Sequence, residues 1–194
     1  MEGRAYDRVR PAPARGSERS CDGDHAGGVQ RGMEFAEIAR RHLDDVYRFL
    51  LYATGDRAVA EDLAAETMER ALRSFERYDP GRARPRAWLL VVARSTMLDH
   101  FRREQRRRRY ELAAVEPADR ADGPGISNDL SAAVEAALQR LGAGDREVIA
   151  LRVILDLEPR AAAHLLGISE SACTTRLSRA LARLQQEVRD DARV

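Results

Sequence analysis

Residues Trp88 to Arg109 read WLLVVARSTMLDHFRREQRRRR. The first part is apolar, from Trp88 through Leu89, Leu90, Val91, Val92 and Ala93. The second part is cationic, with Arg102, Arg103, Arg106, Arg107, Arg108 and Arg109 interrupted by the single acid Glu104. No Gly or Pro falls within it, so one unbroken helix is expected. Such a helix begins in a core and ends in guanidinium groups, which suit a polyanion. Most charge runs are simply solvated helix ends, so this one needs support from the rest of the chain.

The chain has 194 residues and a net charge of +1. Its length admits one domain or two small ones. The near-neutral total hides local asymmetry. With 34% charged and 44% hydrophobic residues, the composition suits folded helical protein with exposed linkers. Lys is absent, so all 33 basic residues are Arg, which grips phosphate and base edges bidentately. Cys21 and Cys173 are far apart, and neither they nor His25, His42, His100 and His164 form a metal-ligand pattern. No cofactor and no metal are expected. No run approaches transmembrane length, and the first residues lack the apolar core of a secretory signal. A cytoplasmic protein with no membrane insertion is the expectation.

Residues 1–32 hold Pro11, Pro13 and six Gly, with few large apolar groups, and are expected to be a disordered extension. Met33 opens the first periodic segment and is a candidate translation start. Phe35, Ile38, Ala39, Leu43, Val46, Tyr47, Leu50 and Leu51 follow helical spacing, with His42 at the boundary of that face. Gly55 ends this helix and Asp56 caps the next, which buries Ala60, Leu63, Ala64, Thr67, Ala71 and Phe75. Its outer face carries Glu61, Asp62, Glu66, Glu69 and Arg70. Without an accompanying His, those acids read as a solvated or partner-binding face, not a metal site. Tyr78 to Ala87, YDPGRARPRA, is expected to be a basic loop displaying Arg82, Arg84 and Arg86. Residues 111–129 contain Pro117, Gly123, Pro124 and Gly125 and are mostly acidic, which marks a flexible linker. The expected organisation is therefore all-α, with two small helical domains, 33–110 and 130–190, joined by that linker.

In the second domain Leu130, Val134, Ala137, Leu138 and Leu141 share a face, and Gly142 and Gly144 end the helix. A second helix is expected from Asp145 to Leu157, and Pro159 opens a third. Ala163, Gly167 and Cys173 then have the spacing of a helix-turn-helix. Small Ala permits close approach of two helices, Gly takes a left-handed turn, and Cys173 puts a small apolar group in the seam. Ser169 is a good N-cap. Cys173, Leu177, Ala180, Leu181 and Leu184 face inward, while Ser171, Thr174, Thr175, Arg176, Ser178 and Arg179 face out. Short polar groups and Arg match base edges and phosphates. A plain helical hairpin has the same spacing, so the two exposed Arg residues carry the preference for DNA. Cys173 reads as a structural thiol before a redox switch.

Several motifs in order resemble the extracytoplasmic-function sigma factors of bacterial RNA polymerase, over residues 34–187. AEDLAAET at 60–67 is similar to the family's AEDLxQET core-binding motif, and AWLLVVARSTMLDHFRR at 87–103 to its AWLxxIARNxxxDxxRR stretch. LGAGDREVIALR at 141–152, LLGIS at 165–169 and TRLSRAL at 175–181 resemble its region 4. The resemblance implies a non-catalytic protein that directs core polymerase to promoters and helps melt them. It implies that Asp62, Glu66, Glu69 and Arg70 grip the polymerase clamp helices, with a further contact at the flap. It implies that Arg82, Arg84, Arg86, Trp88, Ser95, Asp99, His100, Arg103 and Arg106 hold the minus-ten element, including a flipped base. Ser171, Thr174, Thr175, Arg176, Ser178 and Arg179 would face the minus-thirty-five element in the major groove. An anti-sigma factor is the family's usual partner.

Ala65 stands where the family has Gln, Ser95 where it has Asn, and Ala161 and Ala162 where it has Glu-Ile. Ala172 and Thr174 replace a Thr and a basic residue, so no promoter sequence transfers. Two other classes remain open. One is a conventional helix-turn-helix regulator acting without polymerase, and the other a degenerate sigma-like adaptor.

Overall fold

A computed structural model of the chain describes residues 24–111 and 132–191. Among these residues all the regular structure is helical, joined by short turns and loops. Residues 1–23 of the expected extension and 112–129 of the expected linker, together with Leu130, lie outside the described residues.

Helix α1 runs from Asp24 to Thr54, α2 from Arg57 to Ser74 and α3 from Pro85 to Glu111. The start of α1 corrects the expectation of disorder up to residue 32. The last Pro before it is Pro13, so no backbone donor is missing after that point. Extending a helix also costs less than nucleating one. The break between α1 and α2 follows its residues closely. Gly55 adopts φ 75°, and the Asp56 carboxylate accepts from the Val59 amide at 3.1 Å. Between α2 and α3, a short 3-10 turn spans Phe75–Arg77. The basic loop is shorter than expected, because the helix begins at Pro85. Pro needs no donor in a first helical turn and its φ is already helical.

These helices share one apolar seam. Val46, Phe49 and Leu50 come from α1, Ala60, Leu63 and Ala71 from α2, and Leu89, Leu90 and Ala93 from α3. Each large side chain buried there contributes about 1.5–3 kcal/mol. The buried hydroxyls of Thr67 and Thr96 are satisfied by the carbonyls of Leu63 and Val92, at 2.6 and 3.0 Å. Phe75, Tyr78 and Trp88 close the end of the seam as an aromatic cluster, with Tyr78 and Trp88 ring centroids 4.7 Å apart.

In the second half, α4 spans Ala132–Arg140, α5 Ala143–Ile149, α6 Pro159–Leu166 and α7 Glu170–Asp191. Gly144 lies inside α5, and only Gly142 separates it from Leu141, so the expected two-glycine stop is corrected. A glycine beside the first turn is tolerated because those amides have no intrahelical partner in any case. The expected Asp145–Leu157 helix is also modified. Residues Ala150–Ile154 widen into a π turn, and the Leu155 amide reaches back five residues to the Ala150 carbonyl. Asp156 follows at φ 49°, and the Leu157 carbonyl accepts from the Arg152 guanidinium. Helices α4, α5 and α6 all pack on α7. Cys173 and Ala180 are fully buried, and Leu177, Leu181 and Leu184 pack partly covered against the same core.

Candidate promoter and polymerase surfaces

The turn between α6 and α7 is built by three small residues. Gly167 takes φ 68° and closes α6, its amide donating to the His164 carbonyl at 3.2 Å. The left-handed conformation there costs a side-chain-bearing residue about 1–2 kcal/mol. Ser169 caps α7, its hydroxyl accepting from the Ala172 amide at 3.2 Å. Burial pushes the Cys173 thiol up, with nearby Arg152 and Arg176 opposing, so the thiol stays protonated and packs as a small apolar group.

From that turn α7 presents a groove of about 450 Å³, lined by Asp145, Ser171, Ala172, Thr175, Arg176, Arg179 and Arg183. Ser171, Thr175, Arg179 and Arg183 recur every four residues, which puts them on one helical stripe. Four of the six expected minus-thirty-five residues, Ser171, Thr175, Arg176 and Arg179, are thus brought together. Thr174 and Ser178 are exposed but do not line the groove, and the Thr174 hydroxyl donates back to the Glu170 carbonyl at 3.1 Å. Arg183 was missed in the sequence, although its position four residues after Arg179 marks it. Its guanidinium pairs with Asp145 of α5.

The expected minus-ten residues divide among several settings. Arg82 and Arg84 stand exposed on a loop that is itself fixed. The Tyr78 hydroxyl donates to the Ala83 carbonyl, and the Asp79 carboxylate accepts from the Gly81 amide, both at 2.9 Å. Trp88 is half-buried in the aromatic cluster. Arg86 turns away from the loop, donating to both Asp45 oxygens and, at 2.8 Å, to the Leu155 carbonyl. Ser95 lines a second groove of about 230 Å³, with Val91, Arg94, Leu98 and Arg102 of α3 and Leu165 of α6. His100 is half-buried, its ring edge-on to Phe101 at 5.8 Å. Arg106 is exposed.

Asp99 and Arg103 belong to a network with the expected polymerase-binding face. Arg70 donates to Asp99 at 2.9 Å and to Glu66 at 2.6 Å, so it bridges α2 and α3. Arg103 reaches both Glu66 oxygens at 3.2 Å, and Arg102 reaches the other Asp99 oxygen at 3.1 Å. The Arg70 hydrogen bond, against an opposing burial penalty, holds the Asp99 carboxyl below the ordinary carboxylate range. It is therefore ionised and acceptor-only at neutral pH. Asp62 is exposed, and Glu69 pairs with Arg73 along the outer face of α2 at 2.8 Å. Among the described residues, no group of His, Cys, Asp and Glu is arranged to hold a metal, and no helix is long and apolar enough to cross a membrane.

A three-helix unit with an acid-faced second helix, followed by a helix-turn-helix with a cationic groove, defines the sigma-70 class of transcription factors. The Sigma-70 region 2 model matches residues 38–107, and the Sigma-70 region 4 model residues 131–184. The ECF RNA polymerase sigma factor BldN of Streptomyces coelicolor is 30% identical over 188 residues, 95% of this chain and 71% of that protein. The ECF sigma factor SigM of Bacillus subtilis is 30% identical over 155 residues, 79% of this chain and 94% of that protein. A solved structure, the sigma factor RpoE in complex with the anti-sigma factor NepR from Bartonella quintana, superposes with a TM-score of 0.67 at 25% identity. That match covers 80% of this chain and 97% of the other. The chain belongs to the extracytoplasmic-function family of RNA polymerase sigma factors.

Proposed function

We propose that this sigma factor joins core polymerase to promoters through three surfaces and does no catalysis itself. The outer face of α2, with Asp62, Glu66, Glu69 and Arg70, docks on the clamp helices, while the second half meets the flap. The residues of α3 and its preceding loop, Arg82, Arg84, Arg86, Trp88, Ser95, Asp99, His100, Arg103 and Arg106, serve the minus-ten element. Within that set, the exposed cations Arg82, Arg84 and Arg106 attract backbone phosphate irrespective of sequence. Ser171, Thr174, Thr175, Arg176, Ser178 and Arg179 serve the minus-thirty-five element.

The observation that carries this reading is the α7 groove. A glycine-closed turn sets the helix, and one face then offers the hydroxyls of Ser171 and Thr175 and the guanidiniums of Arg176, Arg179 and Arg183, the chemistry that base edges and phosphates require. The two regions 33–110 and 130–190 act as the two reading domains, with 111–129 as the tether between them. Work on promoters places the protein in the cytoplasm with the polymerase. An anti-sigma factor is a further proposed partner, supported by the similarity to RpoE, which was solved with NepR. A regulator working without polymerase finds less support, because both family models matched are those of sigma factors.

Run-off transcription with purified core polymerase tests the proposal. Added protein should produce starts at defined genomic positions that core alone does not use. If no template from the source genome gives such a start, the proposal fails. Strong, sequence-specific protection of duplex DNA by the protein without polymerase would favour the regulator instead.

A further inference from the structure

The groove on α7 holds a carboxylate among its cations. Asp145, in the first turn of α5, lines it together with Arg176, Arg179 and Arg183. A bare carboxylate in a surface that meets DNA would repel phosphate. This one is covered, because the Asp145 side chain is 14% exposed and the Arg183 side chain paired with it 60%. The bond runs from Nη1 of Arg183 to Oδ2 of Asp145. A guanidinium carries five N–H donors in a planar fork. Among the described residues, Asp145 is the one acceptor that Arg183 meets. Its other donors can therefore take a second anion while the first bond is kept.

Helix geometry places Arg183 relative to the rest of its stripe. Each step of four residues turns about 40° past a full revolution, so Arg183 is rotated about 120° from Ser171. That rotation carries it to the side of α5, where Asp145 waits. It also lies ~18 Å further along the axis than Ser171. The major groove is about 12 Å wide, and a recognition helix reads base edges with its N-terminal residues. With Ser171 and Thr175 over base edges, Arg183 falls past the groove wall, where the phosphate backbone runs. An unrestrained arginine would lose much rotamer freedom on binding there. One bond to a neighbouring helix removes part of that loss beforehand.

We infer that Arg183 clamps a backbone phosphate at the edge of the minus-thirty-five element, whatever the base sequence, and that Asp145 is the residue that positions it. The inference rests on the assignment of the α7 groove to that element. Arg183 bridges Asp145 and the phosphate, and its guanidinium screens the carboxylate from the DNA. The sign of the Asp145 effect separates this role from plain electrostatics. By charge alone, removing an acid from a DNA-facing groove strengthens binding and steepens its salt dependence. Removing the support of a phosphate-binding arginine weakens binding and flattens that dependence.

The test uses the full chain, assembled with core polymerase, carrying Arg183→Gln, Arg183→Lys, Asp145→Ala, or Arg183→Gln and Asp145→Ala together. Fluorescence anisotropy follows binding to a promoter duplex, and to one with a scrambled minus-thirty-five element, from about 50 to 200 mM salt. Arg183→Gln should weaken binding to both duplexes by the same factor and make the salt slope shallower by about one. Across that range wild-type affinity should then fall roughly 3.5-fold more than the variant's. Arg183→Lys should keep the wild-type slope, because an ammonium meets phosphate as a point charge. Asp145→Ala should weaken binding and flatten the slope, and the double variant should bind no worse than Arg183→Gln. An unchanged slope in Arg183→Gln, a slope as shallow in Arg183→Lys, or a loss confined to one duplex would overturn the clamp. Tighter binding by Asp145→Ala would overturn the positioning role. The same series with the free chain on a nonspecific duplex should give the same pattern. If wild-type holoenzyme shows no preference for the promoter duplex, the sigma reading fails, and the free chain still decides the clamp.

Discussion

Asp99 shows how one carboxylate ties two proposed surfaces together. It lies on α3 among the residues assigned to the minus-ten element, yet both its oxygens accept from arginines, Arg70 on α2 and Arg102 on its own helix. Its pKa is depressed, chiefly by the Arg70 bond. A carboxyl with a lower folded than unfolded pKa stabilises the fold above its unfolded value, about 3.9, and loses that contribution as pH falls through the folded value. Asp99→Asn should thus lower stability at pH 7 and flatten the loss of stability below about pH 4. Urea midpoints of both proteins at neutral and acid pH check this. Parallel acid dependence of the two would mean that the Arg70 pair contributes nothing. Because the pair is partly solvated, the effect belongs to the small class of surface ion pairs. The same residue explains a limit of sequence reading. DxxRR is visible in the chain, but nothing in it says that Asp99 is also bound to Arg70 of α2.

At the scale of the element, the recognition helix α7 is the sharpest case. Arg176→Ala should weaken promoter binding by about 1–3 kcal/mol if the guanidinium reads a base edge, and that loss should depend on the upstream element. Arg179→Ala should do the same. A phosphate contact would instead weaken all sequences alike and reduce the salt slope by about one. Equal initiation by wild type and both variants, over a salt series, would remove these residues from the site. This helix was legible in the sequence because local chemistry fixes it. Gly167 needs no neighbour to favour the left-handed turn, and Ser169 caps whatever helix follows. The long α3 was legible for the same reason, through an uninterrupted run between Pro85 and Glu111. Two features were not. The π turn at Ala150–Ile154 shares its apolar spacing with an ordinary helix, so periodicity does not reveal it. The early start of α1 at Asp24 was hidden by three glycines, whose cost to a helix is real but does not break one.

For the whole molecule, sequence patterns gave the order of the helices but not how the halves meet. Arg94, Glu147 and Arg146 carry no motif; they matter because folding brings residues about fifty or ninety positions apart within a hydrogen bond of one another. Among 33 arginines, pairing could not be read from composition. The structure separates the cations into those spent on internal contacts, such as Arg70, Arg86 and Arg146, and those facing out, such as Arg82, Arg84, Arg106, Arg176 and Arg179. Only the second set can supply the electrostatic attraction to DNA without rearrangement. The proposed sigma function is thus a property of two surfaces used together with polymerase, not of either alone. Footprinting on a promoter, with core polymerase present and absent, tests that claim most directly. With core, the protein should protect both elements, and the joint variant Arg176→Ala, Arg179→Ala should lose the upstream protection first. Without core, protection should be weak and unspecific. Strong protection of a single site by the protein alone, unchanged by adding polymerase, would contradict the account.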